Sequence, residues 1–169
     1  VSINQELSMY AELIDLLSGH MLEPHERDEI AERVAAAPDD PEYEWTQTYA
    51  DATVACGLEL RYALDDFAAT SDKIDEVHEQ IQDMFDDFPD YADVETRIFP
   101  DGDFDVNAYF VWLDAELAGR ETEKGGCGFV IFDARADDNI SVFVVERNDI
   151  DRIIALGDEL GLRFQRKIT

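Results

Sequence analysis

Two apolar runs set the architecture of this chain: Cys127-Gly-Phe-Val-Ile-Phe-Asp133 and Ile140-Ser-Val-Phe-Val-Val-Glu146. Runs of this length that are rich in valine, isoleucine and phenylalanine are typical of β-strands. The segment between them, residues 135–139, is mostly polar. The pattern therefore predicts a β-hairpin.

A helix and a closing strand are predicted to follow this hairpin. Apolar residues recur at helical spacing over about 150–160, which indicates an amphipathic helix with one buried stripe. Gly161 comes directly after that pattern, at the position where a left-handed glycine commonly ends a helix. The chain then continues into a predicted strand over 162–168.

Further strands are predicted on the N-terminal side of the hairpin. Apolar and polar residues alternate over 58–64, as they do in a half-buried strand. Residues 93–99 and 105–114 are predicted to form a second hairpin, because the turn-forming sequence Pro100-Asp101-Gly102-Asp103 lies between them.

Helices are predicted over about 5–18, 24–36, 41–56 and 72–86. Each of these segments repeats apolar residues three and four positions apart, which places them on one helical face. In the third helix this spacing puts Trp45 on the predicted buried stripe. The chain therefore opens with three helices.

The fold class that these elements predict is α+β. We expect a mostly antiparallel sheet of about five or six strands, with the N-terminal helices at one side and the helices over 74–85 and 150–160 packed on the sheet. Because no repeat or linker divides the sequence, we expect one domain over 1–169, with a helical part at 1–57 and a sheet-rich part at 58–169. The predicted core residues are Leu60, Tyr62, Ile81, Phe85, Phe110, Trp112, Phe129, Ile131, Val142, Val144, Ile154 and Phe164.

The charge of the chain limits its function. Thirteen lysines and arginines oppose 41 aspartates and glutamates, which gives a formal charge of −28. Such a charge argues against direct binding to nucleic-acid phosphates or to an anionic membrane. The apolar stretches are shorter than the roughly 20 residues that a membrane-spanning helix needs, and two cysteines do not make a disulfide framework. We therefore expect a soluble, cytoplasmic protein.

The positive signal for function is the acidic segment between Asp65 and Glu95. It contains twelve aspartates and glutamates, and Lys73 is its only lysine or arginine. Because an acidic array attracts basic proteins, we predict a non-enzymatic binding or regulatory protein with a basic protein as its partner. The residues predicted to contact the partner are Asp75, Glu76, Glu79, Asp83, Asp86 and Asp87. The alternative explanation is a solvated face kept for solubility or for life at high salt.

A small hydrolase is the other functional alternative. Asp101, Asp103 and Asp105 place oxygen ligands at alternate positions, as a metal-binding loop can, although the glycine and glutamate of an EF-hand are missing and turn chemistry explains the loop equally well. Asp114 and Glu116, at the end of a predicted strand, could supply an acid and a base. Motifs for nucleotide or dinucleotide cofactors are absent from the sequence, so no cofactor is expected.

The histidines and cysteines carry weaker signals. The sequence contains no Cys-x-x-Cys or His-Glu-x-x-His spacing, so a zinc site is not expected. His78 is predicted on the polar side of an acidic helix, where neighbouring carboxylates would raise its pKa. Cys127 begins an apolar strand, which predicts a buried structural thiol rather than a nucleophile.

Overall fold

The computed structural model describes residues 2–122 and 125–168. Its antiparallel sheet is built on the hairpin that the sequence predicted, and the two strands of this hairpin pair from Cys127 opposite Glu146 to Phe132 opposite Ser141. The strands are β1 (Ala68–Ser71), β2 (Glu121–Thr122), β3 (Gly125–Asp133), β4 (Ile140–Glu146) and β5 (Arg163–Gln165).

The order of the sheet is β1-β4-β3-β2, and β5 pairs with β3 as well. Because β2 pairs at Gly125 and Gly126 while β5 pairs at residues 131–133, these two short strands contact opposite ends of β3. The α+β class is confirmed. The four strands of the main path are slightly fewer than the five or six predicted.

The helices are α1 (Ile3–Leu17), α2 (Pro24–Ala36), α3 (Thr53–Ala63), α4 (Ile74–Gln82), α5 (Tyr91–Ile98), α6 (Val106–Ala118) and α7 (Ile150–Leu160). Short 3₁₀ turns lie at Ala37–Asp39, Pro41–Thr48, Asp65–Phe67 and Arg147–Asp149. Local sequence explains several helix ends. Ser2 and Gln5 form a capping box at the start of α1, and Gly161 ends α7 with a φ of 74°. None of the described helices is both long and apolar enough to cross a membrane.

Helices cover both faces of the sheet. Val130 and Phe132 of β3 face a layer that contains α1, α2, α3 and α7, whereas Phe129 and Ile131 face a layer that contains α4, α5 and α6. Successive side chains of a strand point to opposite faces, so a strand covered on both sides must be apolar at almost every position. This explains the nearly continuous apolar runs of β3 and β4.

Three predicted strands are wrong, because residues 58–64, 93–99 and 105–114 lie largely in α3, α5 and α6. The Pro100–Asp103 turn therefore joins two helices and is not a hairpin tip. The alternation of apolar and polar residues over 58–64 resembles a strand because α3 is buried around most of its circumference. Every residue from Val54 to Leu60 is buried. A helix buried on several sides carries apolar residues without helical periodicity.

The third predicted helix, over 41–56, is also wrong in part. Its first half is the 3₁₀ segment Pro41–Thr48, and α3 begins only at Thr53. One predicted core residue is wrong outright, since Tyr62 is 75% exposed on α3. The other predicted core residues are buried or half-buried.

Candidate functional site

All six carboxylates predicted to contact a partner are exposed. Asp75, Glu76 and Glu79 lie on α4, and Asp83, Asp86 and Asp87 lie in the segment that follows the helix. We call these six residues the acidic surface.

The acidic surface faces solvent because the opposite side of α4 is anchored in the core. Val77 and Ile81 are fully buried there. His78 is fully buried as well: its Nδ1 lies 2.9 Å from the Tyr109 hydroxyl, and its Nε2 lies 2.7 Å from the Pro89 carbonyl oxygen. The predicted position of His78 on the polar side is therefore wrong, and so is the predicted rise of its pKa, since burial lowers the pKa of this imidazole.

Most of the acidic surface is left without countercharge. Asp75, Glu79, Asp83 and Asp86 form no ion pair with any described residue. Asp87 and Glu76 are the exceptions. The Arg120 guanidinium donates to Asp87 at 2.6 Å and lowers the pKa of its carboxyl, and the Lys73 ammonium nitrogen lies 3.9 Å from a Glu76 carboxylate oxygen. These carboxylates therefore present net negative charge to solvent.

The acidic surface continues to the edge strand of the sheet. Gln80 of α4 accepts a hydrogen bond from the Thr70 N–H at 2.8 Å and donates one to the Thr70 carbonyl oxygen at 3.0 Å. Because residues three or four positions apart are neighbours on a helix, Glu76 and Asp83 flank Gln80. The carboxylates of α4 thus lie beside the outer edge of β1.

A second feature meets the acidic surface at this edge. Thr70 also lines an open cavity of about 660 Å³, together with Trp45, Tyr62, Asp65 and Asp66. Trp45 is 51% exposed and Tyr62 is 75% exposed. Large aromatic side chains are enriched where proteins contact one another. We call the side chains of Trp45, Tyr62, Asp65 and Asp66 the aromatic patch. The aromatic patch and the acidic surface together are called the β1-edge surface.

The arginines near the aromatic patch are already engaged within the molecule. Arg61 makes a bidentate pair with Asp137, at 3.0 and 2.8 Å, which lowers the pKa of that carboxyl. Arg33 lies 3.6 Å from Glu59, a buried carboxylate that also accepts from the Tyr43 hydroxyl at 2.6 Å. Asp65 and Asp66 therefore set the charge of the aromatic patch.

Sequence reasoning missed the aromatic patch because it assigned both aromatic residues to buried positions. Trp45 was placed on the stripe of a helix that is actually a 3₁₀ segment, and Tyr62 on the inner face of a strand that is actually α3. Local capping does not separate the two cases: Asp40 accepts from the Glu42 N–H and Pro41 begins the 3₁₀ segment, as the same residues would at the start of an α-helix.

The predicted metal-binding residues lie in the loop before α6. Asp105 is the N-cap of α6 and accepts from the Asn107 N–H at 3.0 Å. Asp101 and Asp103 are exposed. Among the described residues, no three histidine, cysteine, aspartate or glutamate side chains are grouped so that they could hold a metal ion.

The residues of the hydrolase alternative do not form a pair. Asp114 and Glu116 both lie on α6, two positions apart, and such residues do not face each other on a helix. Asp114 accepts from Arg147 at 3.0 Å, whereas Glu116 accepts from Arg120 at 3.1 Å. Each carboxylate is thus engaged by its own arginine.

Comparisons of this chain with protein-family models, with curated proteins and with solved structures found no match.

Proposed function

We propose that this protein is a non-enzymatic binding protein that engages a basic partner protein through the β1-edge surface. The observation that carries the proposal is that Thr70, which pairs with Gln80 on the acidic helix α4, also lines the cavity that holds the exposed Trp45 and Tyr62. An acidic coat that serves only solubility or high-salt conditions does not need exposed tryptophan and tyrosine.

The two parts of the β1-edge surface have different roles in this proposal. The carboxylates attract a basic protein over distance and orient it, which raises the association rate at low ionic strength. Trp45 and Tyr62 then provide apolar area for close contact, and the faces of their rings suit arginine or lysine side chains. The acidic surface therefore controls how fast the partner arrives, and the aromatic patch controls how long it stays.

Amide chemical shifts of the ¹⁵N-labelled protein, titrated with an arginine-rich peptide, test this proposal. We expect the largest shifts at the β1-edge surface, and we expect the affinity to fall as salt is added. The double variant Trp45→Ala, Tyr62→Ala should weaken binding by about tenfold or more, because aromatic contacts often dominate the binding energy.

Met21→Ala is the matched control, since Met21 is another large exposed apolar side chain but lies between α1 and α2. It should bind the peptide as the unaltered protein does. Shifts spread evenly over the surface, or equal affinity in the double variant, would contradict the proposal.

A further inference from the structure

A groove at the opposite edge of the sheet carries a second inference. Its volume is about 660 Å³, within the range of small-molecule sites. It lies between α6 and α7 beside β3, where residues 127–130 have no strand partner from β2 or β5 in the described chain.

The lining of this groove is apolar, and it comes from both layers of the fold. Phe110 and Phe129 belong to the layer of α6, whereas Ile150, Ile154 and Phe164 belong to the layer of α7. The groove therefore opens the seam between the two cores. Val111, on its lip, is 73% exposed.

The glycine at position 128 brings β3 close to α7 here. A Cβ atom on Gly128 would lie 2.5 Å from the Ile150 Cδ1 atom. Real Cβ atoms do not approach so closely, so any side chain at this position would force the end of the Ile150 side chain to shift. The shape of the groove thus depends on a residue without a side chain.

The rim of the groove is positively charged, although the protein as a whole carries −28. Arg147, Arg166 and Lys167 line it, against one carboxylate, Asp114; Arg166 pairs with Asp151, which does not line the groove. Arg147 donates to Asp114 and to the Cys127 carbonyl oxygen. Lys167 forms no ion pair with any described residue, so its ammonium group remains available for an anion.

We propose that this groove binds an amphipathic monoanion, a carboxylate with an unbranched apolar chain, whose charged end contacts Lys167 and whose chain lies along Phe110, Ile154 and Phe164. Charge complementarity selects this ligand class, because a cationic rim above an apolar floor matches a molecule with one anionic end. The ligand is opposite in charge to the basic partner of the β1-edge surface, so the inference goes beyond the proposed function.

Isothermal titration calorimetry with dodecanoate, below its micelle concentration, tests the inference on the full chain. We expect one site per molecule. Lys167→Glu should weaken binding by about tenfold, because it replaces a charge-assisted contact by repulsion. Arg97→Glu is the matched control: it makes the same change in net charge at an exposed residue of α5, and it should leave the affinity nearly unchanged.

Val111→Asp provides a second test, because this exposed residue can change without loss of the fold. It should weaken dodecanoate binding by placing a carboxylate on the lip. Three outcomes would overturn the inference: no binding of dodecanoate, equal losses in Lys167→Glu and Arg97→Glu, or equal affinity for neutral dodecan-1-ol. Because this probe and these variants differ from those used for the β1-edge surface, either proposal can fail alone.

Discussion

The two edges of the sheet both have backbone groups bonded by side chains, but the charged residues around the two edges differ in sign. An edge strand exposes backbone groups that can pair with another chain. At the β1 edge, the neutral amide of Gln80 satisfies both backbone groups of Thr70, and carboxylates surround it. At the β3 edge, the Arg147 guanidinium donates to the Cys127 carbonyl oxygen, and further cations lie nearby.

This difference shows how an acidic protein can hold two surfaces with different local charge. Several of the ten arginines each form an ion pair with one nearby carboxylate. Their positive charge is therefore neutralised locally. Positive charge therefore remains on the rim of the groove at Lys167, near the end of β5, because Arg147 and Arg166 each pair with a carboxylate and Lys167 pairs with none among the described residues. The contrast between the two edges depends on where the charged residues lie in the fold and not on the net charge of the chain.

The largest expected effect on stability comes from His78→Leu, which changes the packing of α4 at the β1 edge and leaves the β3 edge unaltered. This change leaves the Tyr109 hydroxyl and the Pro89 carbonyl oxygen without their buried partner, which should cost about 3 kcal/mol of unfolding free energy. Urea unfolding measures the loss. Hydrogen exchange should show faster opening of α4 than of α7. Equal exchange in the two helices would contradict this separation of the edges.

The pH dependence of the same pair of proteins gives an independent check. Burial keeps the pKa of folded His78 below the ordinary value of about 6.5, so protons bind preferentially to the unfolded chain. The stability that His78 contributes is complete above this pH and declines as the pH falls towards the folded pKa, by at most about 1.4 kcal/mol per pH unit. The difference in unfolding free energy between the unaltered protein and His78→Leu should therefore shrink with acidification. A constant difference would show that His78 is not buried in its neutral form.

A smaller effect is expected for Gln80→Glu, which tests how the β1 edge is capped. The carboxylate can still accept from the Thr70 N–H, but it cannot donate to the Thr70 carbonyl oxygen. We expect a loss of about 1–2 kcal/mol in urea unfolding. Glu79→Gln, at an exposed neighbouring position, should have little effect. Equal stability of the two variants would show that the amide pair does not hold the edge.

The smallest effect is expected at the other edge, from Gly128→Ala. The new methyl group must displace the Ile150 Cδ1 atom, which should cost about 1 kcal/mol and reduce dodecanoate binding. Gly119→Ala is the control, since its Cβ would meet no atom closer than 3.6 Å. Thermal unfolding and calorimetry compare the two variants, and a tighter dodecanoate complex in Gly128→Ala would refute the described shape of the groove.

The sequence was informative where an element is buried on one side or has a marked end. The stripe of α7 and the glycine that follows it predicted this helix correctly, and so did the pattern of α1. The hairpin of β3 and β4 was recognised from its apolar runs and its polar connection. These features are local, so they can be recognised without knowing which elements pack against these helices and strands.

The rest depends on contacts between distant parts of the chain. Helix α3 is buried on several sides, so its apolar residues lack the periodicity that identifies a helix. Helix α6 buries only one face, but the exposed Val111 is apolar as well, so the segment shows a continuous apolar run instead of a helical stripe. The exposure of the acidic surface was predicted from its charge. The aromatic patch was not, because the exposure of Trp45 and Tyr62 follows from the true geometry of the segments that carry them.

The two free cysteines lie in different layers of the fold, and both are buried. Cys56 belongs to the layer of α3, and Cys127 belongs to the layer of α6, with the sheet between them. Burial raises the pKa of each thiol and so suppresses its reactivity. The rate at which a thiol reagent modifies each cysteine therefore reports how often the layer that contains it opens to solvent.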